Sequence, residues 1–373
     1  MADALVRLGA GVNAAWDQGE IAVDGVGGPF PAAAAELFTA NSGTTMRFLT
    51  AVLSLSPGQF RLTGTPRMHQ RPIGDLIDAL RQLGVDARAE SPHDCPPVRL
   101  DSRGWIGSEI NIVPTTSSQF VSGLMLAAPF APRPMTIHLV GQVISQPFLA
   151  LTAELIRAFG GCVEFADRSI AISNQQRYVG RAFSIEPDAT AASYFLAAAA
   201  ITGGSVTIDG LDRASPQGDL RFADCLAEMG CTVSSHSQAV SVSGLARRGV
   251  DVDMNDISDT VPTLAVVALF AESPTTIRNV AHVRHKESDR IGDLARELRK
   301  LGGGVDEHSD GLTIHPRPLR GATLDPHDDH RLAMSLALAG LRIPGVAISN
   351  PECVAKTYPA FFEDLAKITR PLK

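Results

Sequence analysis

Apolar positions in this chain recur with a helical period. Each copy of the phrase spaces its apolar residues i, i+3, i+4, i+7, ends on an apolar residue plus Gly, and runs into a short β-prone stretch. Copies occupy 1–13, 73–88, 149–164, 218–234 and 291–306, and a sixth, Phe361–Thr369, closes the pattern. The helix-ending glycines Gly9, Gly84, Gly160, Gly230 and Gly302 are spaced by 75, 76, 70 and 72 residues. Glycine just past a helix supplies a left-handed cap that other residues adopt only with strain.

A second phrase precedes copies two to six: a small-residue apolar helix, a turn, a β-branched strand, then Gly or Asn. It reads 45–55 with 60–64, 119–128 with 135–141, 189–201 with 205–210, 261–271 with 275–279, and 332–339 with 346–350. Helices dense in Ala and Leu, with little charge on any face, belong inside a core. The pattern predicts an α/β protein whose units alternate strand and helix twice, each around a buried helix. Six amphipathic helices accompany only five buried ones, so the chain opens in mid-repeat. Six units divide into two domains of three. The polar stretch Ser173–Pro187 is the expected linker, giving domains 1–186 and 187–373.

Composition narrows the functional classes. The 373 residues are 45% apolar and 20% charged, a globular balance with room for two cores. With 33 Lys and Arg against 40 Asp and Glu, the charge of −7 argues against a general nucleic-acid binder. No apolar run approaches the roughly 18 residues needed to span a membrane. The N-terminus lacks a basic segment followed by an apolar stretch. Cys95, Cys162, Cys225, Cys231 and Cys353 are scattered without CxxC spacing, so free thiols in a reducing cytoplasm are expected.

Candidate chemistry emerges from misplaced charge. Helix N-termini carry partial positive charge and favour Asp or Glu, yet Arg47, Lys286, Arg290 and Arg331 cluster at helix starts. Arg71 stands before Pro72, which suits the first position of a helix. Each cation alone reads as a solvated charge or an ion-pair partner, and Arg47 as a bridge between loops. Their recurrence points instead to an anion held among them. Asn41-Ser-Gly-Thr and Thr115-Thr-Ser-Ser-Gln119 add hydroxyls and amides at two more helix starts, as oxyanion donors or simple N-caps.

Asp259 is either an N-cap or a base, and Glu287 either an acid or the i, i+3 partner of Arg290. His327-Asp-Asp-His330 has adjacent rather than spaced potential ligands, so carboxylates orienting Arg331 are expected there, and no metal. No phosphate-binding GxxxxGK[ST] occurs, and no GxGxxG follows a strand.

Nine motifs in order along the chain resemble one family. They are 41–48 (NSGTTMRF), 66–74 (PRMHQRPIG), 117–121 (SSQFV), 145–149 (SQPFL), 188–205 (DATAASYFLAAAAITGGS), 217–225 (QGDLRFADC), 285–292 (HKESDRIG), 328–335 (DDHRLAMS) and 355–360 (AKTYPA). Together they are similar to 5-enolpyruvylshikimate-3-phosphate synthases. The resemblance implies an enolpyruvyl transferase fold, a two-domain inside-out α/β barrel of βαβαββ units with the first unit incomplete and the active cleft between domains. It implies a monomer acting on small molecules, without cofactor, metal, nucleic acid or membrane. Phosphoenolpyruvate would donate its enolpyruvyl group to the 5-hydroxyl of shikimate 3-phosphate, releasing phosphate.

By position, Ser117, Ser118, Gln119, Ser145, Asp259 and Lys286 would hold shikimate 3-phosphate. Gly43, Arg71, Gln119, Arg290, Arg331 and Lys356 would hold phosphoenolpyruvate. Asp259 would take the hydroxyl proton and Glu287 deliver one to the methylene carbon, with Lys286 completing the catalytic set. The sequence departs from the family at Phe48, Phe148 and His282, where Pro, Tyr and Asn are usual. The family's opening Lys-Ser…Arg segment is absent, so the resemblance implies a missing start and weakened activity. Charged hydrogen bonds contribute roughly 1.5–3 kcal/mol each, and losing two or three removes about 3–9 kcal/mol. A noncatalytic ligand-binding protein of the same fold remains an alternative. UDP-N-acetylglucosamine enolpyruvyl transferase is another, although 64–70 lacks the reactive Cys it requires.

Overall fold

Helices and strands form where the two recurring phrases place them. The computed structural model describes residues 1–114, 116–236 and 238–369; Thr115 lies outside the described residues. Two compact units divide at Phe183–Ser184, inside the irregular stretch between regular elements.

The first unit opens with α1 (Ala2–Arg7) and the antiparallel hairpin β1 (Gly11–Ala15) and β2 (Glu20–Asp24). A complete βαβαββ repeat follows: β3 (Ala34–Phe38), α2 (Gly43–Leu53), β4 (Gly58–Thr63), α3 (Gly74–Gln82), β5 (Asp86–Ser91) and β6 (Cys95–Ser102). The next comprises β7 (Glu109–Ile112), α4 (Gln119–Ala127), β8 (Met135–Leu139), α5 (Pro147–Ala158), β9 (Val163–Ala166) and β10 (Ser169–Ile172). Their sheets run β3-β4-β6-β5 and β7-β8-β10-β9, the first pair of each being parallel and the rest antiparallel. A parallel pair requires a crossover, and the buried helices α2 and α4 provide it.

The second unit continues with α6 (Ala189–Thr202), β11 (Ser205–Asp209), α7 (Phe222–Glu228), β12 (Thr232–His236) and β13 (Ala239–Ser243). Its sheet is the three-stranded β11-β13-β12, since the stretch before α6 forms no strand. A third complete repeat comprises β14 (Asp251–Asp253), α8 (Val261–Ala268), β15 (Thr275–Arg278), α9 (Gly292–Lys300), β16 (Gly304–His308) and β17 (Gly311–His315). The described elements end with β18 (Thr323–Leu324), α10 (His330–Ala337), β19 (Ala347–Ile348) and α11 (Phe361–Ile368). The last β-branched phrase, expected as a strand over 346–350, pairs with β18 over only two residues.

All five helix-ending glycines adopt positive φ, between 86° and 107°. The small-residue helices are buried as their composition requires: every residue of α8 is buried, and all but two of the fourteen in α6. One hydroxyl from each of α6, α8 and α10 meets at their centre, Ser193 Oγ lying 3.4 Å from Thr263 Oγ1, which lies 3.1 Å from Ser335 Oγ. These three positions are 70 and 72 residues apart, the repeat spacing itself. Among the described residues no helix is long and apolar enough to cross a membrane.

One helix start departs from expectation. Pro72 is not the first residue of α3, which begins at Gly74 with Ile73 as N-cap. Arg71 is extended, at φ −96° and ψ 117°, and its Nη1 donates to the Asn41 carbonyl and side-chain oxygens at 2.9 and 3.1 Å. Those bonds and the Ile73 amide on the Asp94 carbonyl, at 3.0 Å, keep the chain out of helix until Gly74.

Candidate active site

In the first unit, two buried arginines lie near the N-termini of α2 and α4. Ser42 caps α2 by accepting from the Thr45 amide at 3.2 Å. One turn in, Arg47 is 4% exposed, and its Nη1 donates to Ser117 Oγ at 2.9 Å and Gln119 Oε1 at 2.8 Å. Arg47 is therefore the bridge between segments that the simpler reading allowed. Gly43 opens α2 where a Cβ would stand 2.6 Å from Arg71 Nη2 and 3.3 Å from Gln119 Oε1. Only glycine lets the arginine and the amide approach this backbone so closely.

Ser118 is the N-cap residue of α4 without a side-chain cap bond, whereas Ser117 Oγ accepts from the Gln119 amide at 3.2 Å. Gly43, Arg71, Ser117 and Gln119 thus form one cluster. Ser145 is buried in the turn before α5, at a φ of 50°. The helix that follows it, α5, meets α4 where Thr152 lies 2.8 Å from Ser122.

The second unit gathers the remaining candidates around Asp259. Arg290 Nη1 donates to Asp259 at 2.8 Å, Arg331 Nη2 at 3.0 Å, and Lys286 Nζ lies 3.7 Å away. Glu287 accepts from Arg290 Nη2 at 2.9 Å and from Lys356. Asp329, fully buried, accepts from Arg290 Nε at 2.7 Å, from Ser288 at 3.0 Å and from the Arg331 amide at 2.9 Å.

Two expectations are corrected here. Asp259 caps no helix: it lies inside the 3-10 turn Asn255–Thr260, and α8 starts without a side-chain cap. Asp329 does not steer the Arg331 guanidinium; it caps α10 and clamps Arg290, while Asp259 holds Arg331. Asp328 receives Asn350 at 2.6 Å, and His327 lies 3.2 Å from the buried Glu297. Nor are these cations left without counter-charge in the absence of an anion, because Asp259, Glu287 and Asp329 are built in among them. The ion-pair reading and the ligand reading describe one cluster.

Electrostatics follows the packing. Burial pushes Asp259 up, but Arg331, Lys286 and Arg290 together hold its carboxyl well below the usual range. Asp329 is likewise lowered against its burial, chiefly by Arg290. Asp219, beside Thr190, is pushed up to about 6 by burial and by Asp259. His282 and His330 are pushed down to about 3, each by burial first, with Lys286 adding at His282.

Residues 1–365 match the family model of EPSP synthase (3-phosphoshikimate 1-carboxyvinyltransferase). The chain belongs to the EPSP synthase family. The 3-phosphoshikimate 1-carboxyvinyltransferase of Methanoculleus marisnigri is 45% identical over 359 residues, covering 95% of this chain and 85% of that protein. A solved EPSP synthase from Acinetobacter baumannii superposes with a TM-score of 0.75 at 26% identity, covering 98% of this chain and 86% of that one. The enolpyruvyl transferase NikO from Streptomyces tendae shares the fold, with a TM-score of 0.76 at 21% identity, covering 98% of this chain and 85% of that one.

The enolpyruvyl transferase fold is thereby established, and with it the shikimate-pathway family. The expected impairment through a missing opening segment gains no support, since these EPSP synthase matches run over 95–98% of this chain. Sequence reasoning missed Asp329 as the clamp on Arg290, and missed Thr190, Tyr194 and Asp219 altogether. A signal was present for two of them: polar side chains on an otherwise apolar helix buried on every face require partners.

Proposed function

We propose that this chain transfers the enolpyruvyl group of phosphoenolpyruvate to the 5-hydroxyl of shikimate 3-phosphate and releases inorganic phosphate. The observation that carries the reading is a pair of carboxylates, Asp259 and Glu287, set among Lys286, Arg290, Arg331 and Lys356 in a member of this family. Ser117, Ser118, Gln119 and Ser145 hold shikimate 3-phosphate together with Asp259 and Lys286. Gly43, Arg71, Gln119, Arg290, Arg331 and Lys356 hold phosphoenolpyruvate. The chain acts as a cytoplasmic monomer on these small molecules, with no cofactor and no nucleic acid.

Addition forms a bond from the 5-oxygen to C2 of phosphoenolpyruvate. The hydroxyl proton passes to Asp259, and Glu287 protonates C3, turning the methylene into a methyl. Elimination reverses the second transfer: Glu287 removes a methyl proton, the double bond reforms, and phosphate departs with the C2–O electrons. Proton inventories balance once Asp259 returns its proton to the leaving phosphate.

Three cations make the resting Asp259 a weak base. Substrate phosphate and carboxylate compete for those cations, and each one drawn away raises its basicity. A phosphate-release assay on the purified chain, beside calorimetry with shikimate 3-phosphate, tests the function. Turnover that collapses in Asp259→Asn while shikimate 3-phosphate still binds supports it. Binding without turnover in the unsubstituted chain would make this a noncatalytic ligand-binding protein.

A further inference from the structure

We propose that Tyr194 is a positioning residue whose hydroxyl takes over the Arg331 guanidinium from Asp259 when substrate binds, freeing that carboxylate to accept a proton. The idea rests on Asp259 being the base. Its starting point is a conflict in the resting site. Asp259 accepts from Arg290 and Arg331 and faces Lys286, a setting that stabilises its charge and opposes protonation.

Arg290 cannot easily leave, because Asp329 and Glu287 grip its other nitrogens at 2.7 and 2.9 Å and its side chain is 1% exposed. Arg331 is the partner that can. Its only carboxylate ion pair among the described residues is the 3.0 Å contact with Asp259, and its side chain is 15% exposed. A guanidinium carries five N–H donors in a planar fork, so one edge can meet an incoming anion while another meets a fixed acceptor.

Tyr194 supplies such an acceptor. It sits on α6 with no exposed surface, and its hydroxyl is buried without a completed hydrogen bond. A buried phenol normally finds a partner, so a bare one marks a contact not yet made. Phe361 holds the ring edge-on, with centroids 5.6 Å apart, which fixes where the oxygen can be. Arg331 is the donor the packing brings near: Ser193, next to Tyr194 on α6, and Ser335, one turn beyond Arg331 on α10, both meet Thr263, and the Arg331 charge is the first to oppose the burial that pushes the phenol up to about 12.

The bare Oδ1 of Asp219 is a weaker rival. Asp219 is itself a carboxylate, and its other oxygen is committed to Thr190. A neutral phenol also suits the step better, because it accepts a cation without adding a second carboxylate beside the base. In the handover, Arg331 turns toward the anion and Tyr194, and Asp259 keeps only Arg290 and Lys286 as the substrate hydroxyl arrives.

Tyr194→Phe removes the oxygen and leaves the ring. We expect kcat to fall about tenfold or more, with KM for shikimate 3-phosphate within about twofold and the melting temperature nearly unchanged. A double-mutant cycle separates positioning from bulk stability. In an Asp259→Asn background there is no carboxylate to free, so Tyr194→Phe should not lower the residual kcat further. A kcat for Tyr194→Phe within about twofold of the parent, or a full second loss in that background, overturns the proposal. Parental turnover in Asp259→Asn alone would instead overturn the base assignment, whatever Tyr194 does.

Discussion

Buried arginines in the two units rest on different kinds of partner. In the first, Arg47 and Arg71 lean on neutral oxygens: a serine, a glutamine, an asparagine and backbone carbonyls. In the second, Arg290 and Arg331 lean on carboxylates, two of which, Asp259 and Glu287, are themselves candidates for proton transfer. Neutral acceptors orient a cation without cancelling it, which suits a site that only binds anions. Carboxylate acceptors let an arriving anion change the charge felt by a nearby acid or base. On the proposed function, one set holds and the other switches.

If that contrast holds, Asp259→Asn has the largest consequence, a kcat lower by about 10²–10⁴, the usual contribution of a positioned acid or base. Shikimate 3-phosphate binding by calorimetry should change far less. Arg71→Ala is the counterpart in the first unit. Losing a charged hydrogen bond of roughly 1.5–3 kcal/mol should raise KM for the anionic substrate about 10- to 150-fold while kcat changes little. A kcat collapse in Arg71→Ala would erase the distinction.

Acid sensitivity sharpens it next. His282 and His330 are neutral in the fold, pushed to about 3 from the usual 6.5, so the unfolded chain takes up protons first as pH falls. Their stability contribution is complete above about 6.5 and declines down to about 3, costing about 2 kcal/mol each by pH 5. Asp219 runs the other way: raised to about 6, it returns about 1 kcal/mol by pH 5. Denaturant titrations should show a net loss of about 3 kcal/mol between pH 7 and 5, reported by probes in the second unit, and His282→Asn should reduce it. Asp259 and Asp329, both lowered, add losses only once the pH drops below about 4.

Gly43→Ala is the mildest test. Its methyl would stand 2.6 Å from Arg71 Nη2, the far end of a flexible side chain that can yield. Thermal stability should stay within about 1 kcal/mol, since Ala suits a helix start, while KM for the anionic substrate rises several-fold.

The repeat was legible because its signals are local. Apolar period, terminal glycine and β-branched runs each act within a dozen residues, and they located all eleven helices among the described residues. The cation cluster was legible for a related reason, since Arg290 and Arg331 violate a local preference of helix ends. What escaped depends on distant partners. Nothing near Asp329 says that it will clamp Arg290, 39 residues away. Pro72 reads as the first residue of a helix, yet α3 begins only at Gly74, because the Ile73 amide is given to the distant Asp94 carbonyl. Tyr194 reads as one more bulky residue in an apolar helix, and nothing local says that its hydroxyl will be buried without a partner.

The three hydroxyls of Ser193, Thr263 and Ser335 act as a depth gauge. Sliding any of α6, α8 or α10 along its axis by even one residue, about 1.5 Å, would break their contacts. The ends bearing Asp188, Asp259 and Asp329 are therefore held level from beneath. Threonine at 263 thus has a task that an isosteric valine could not perform.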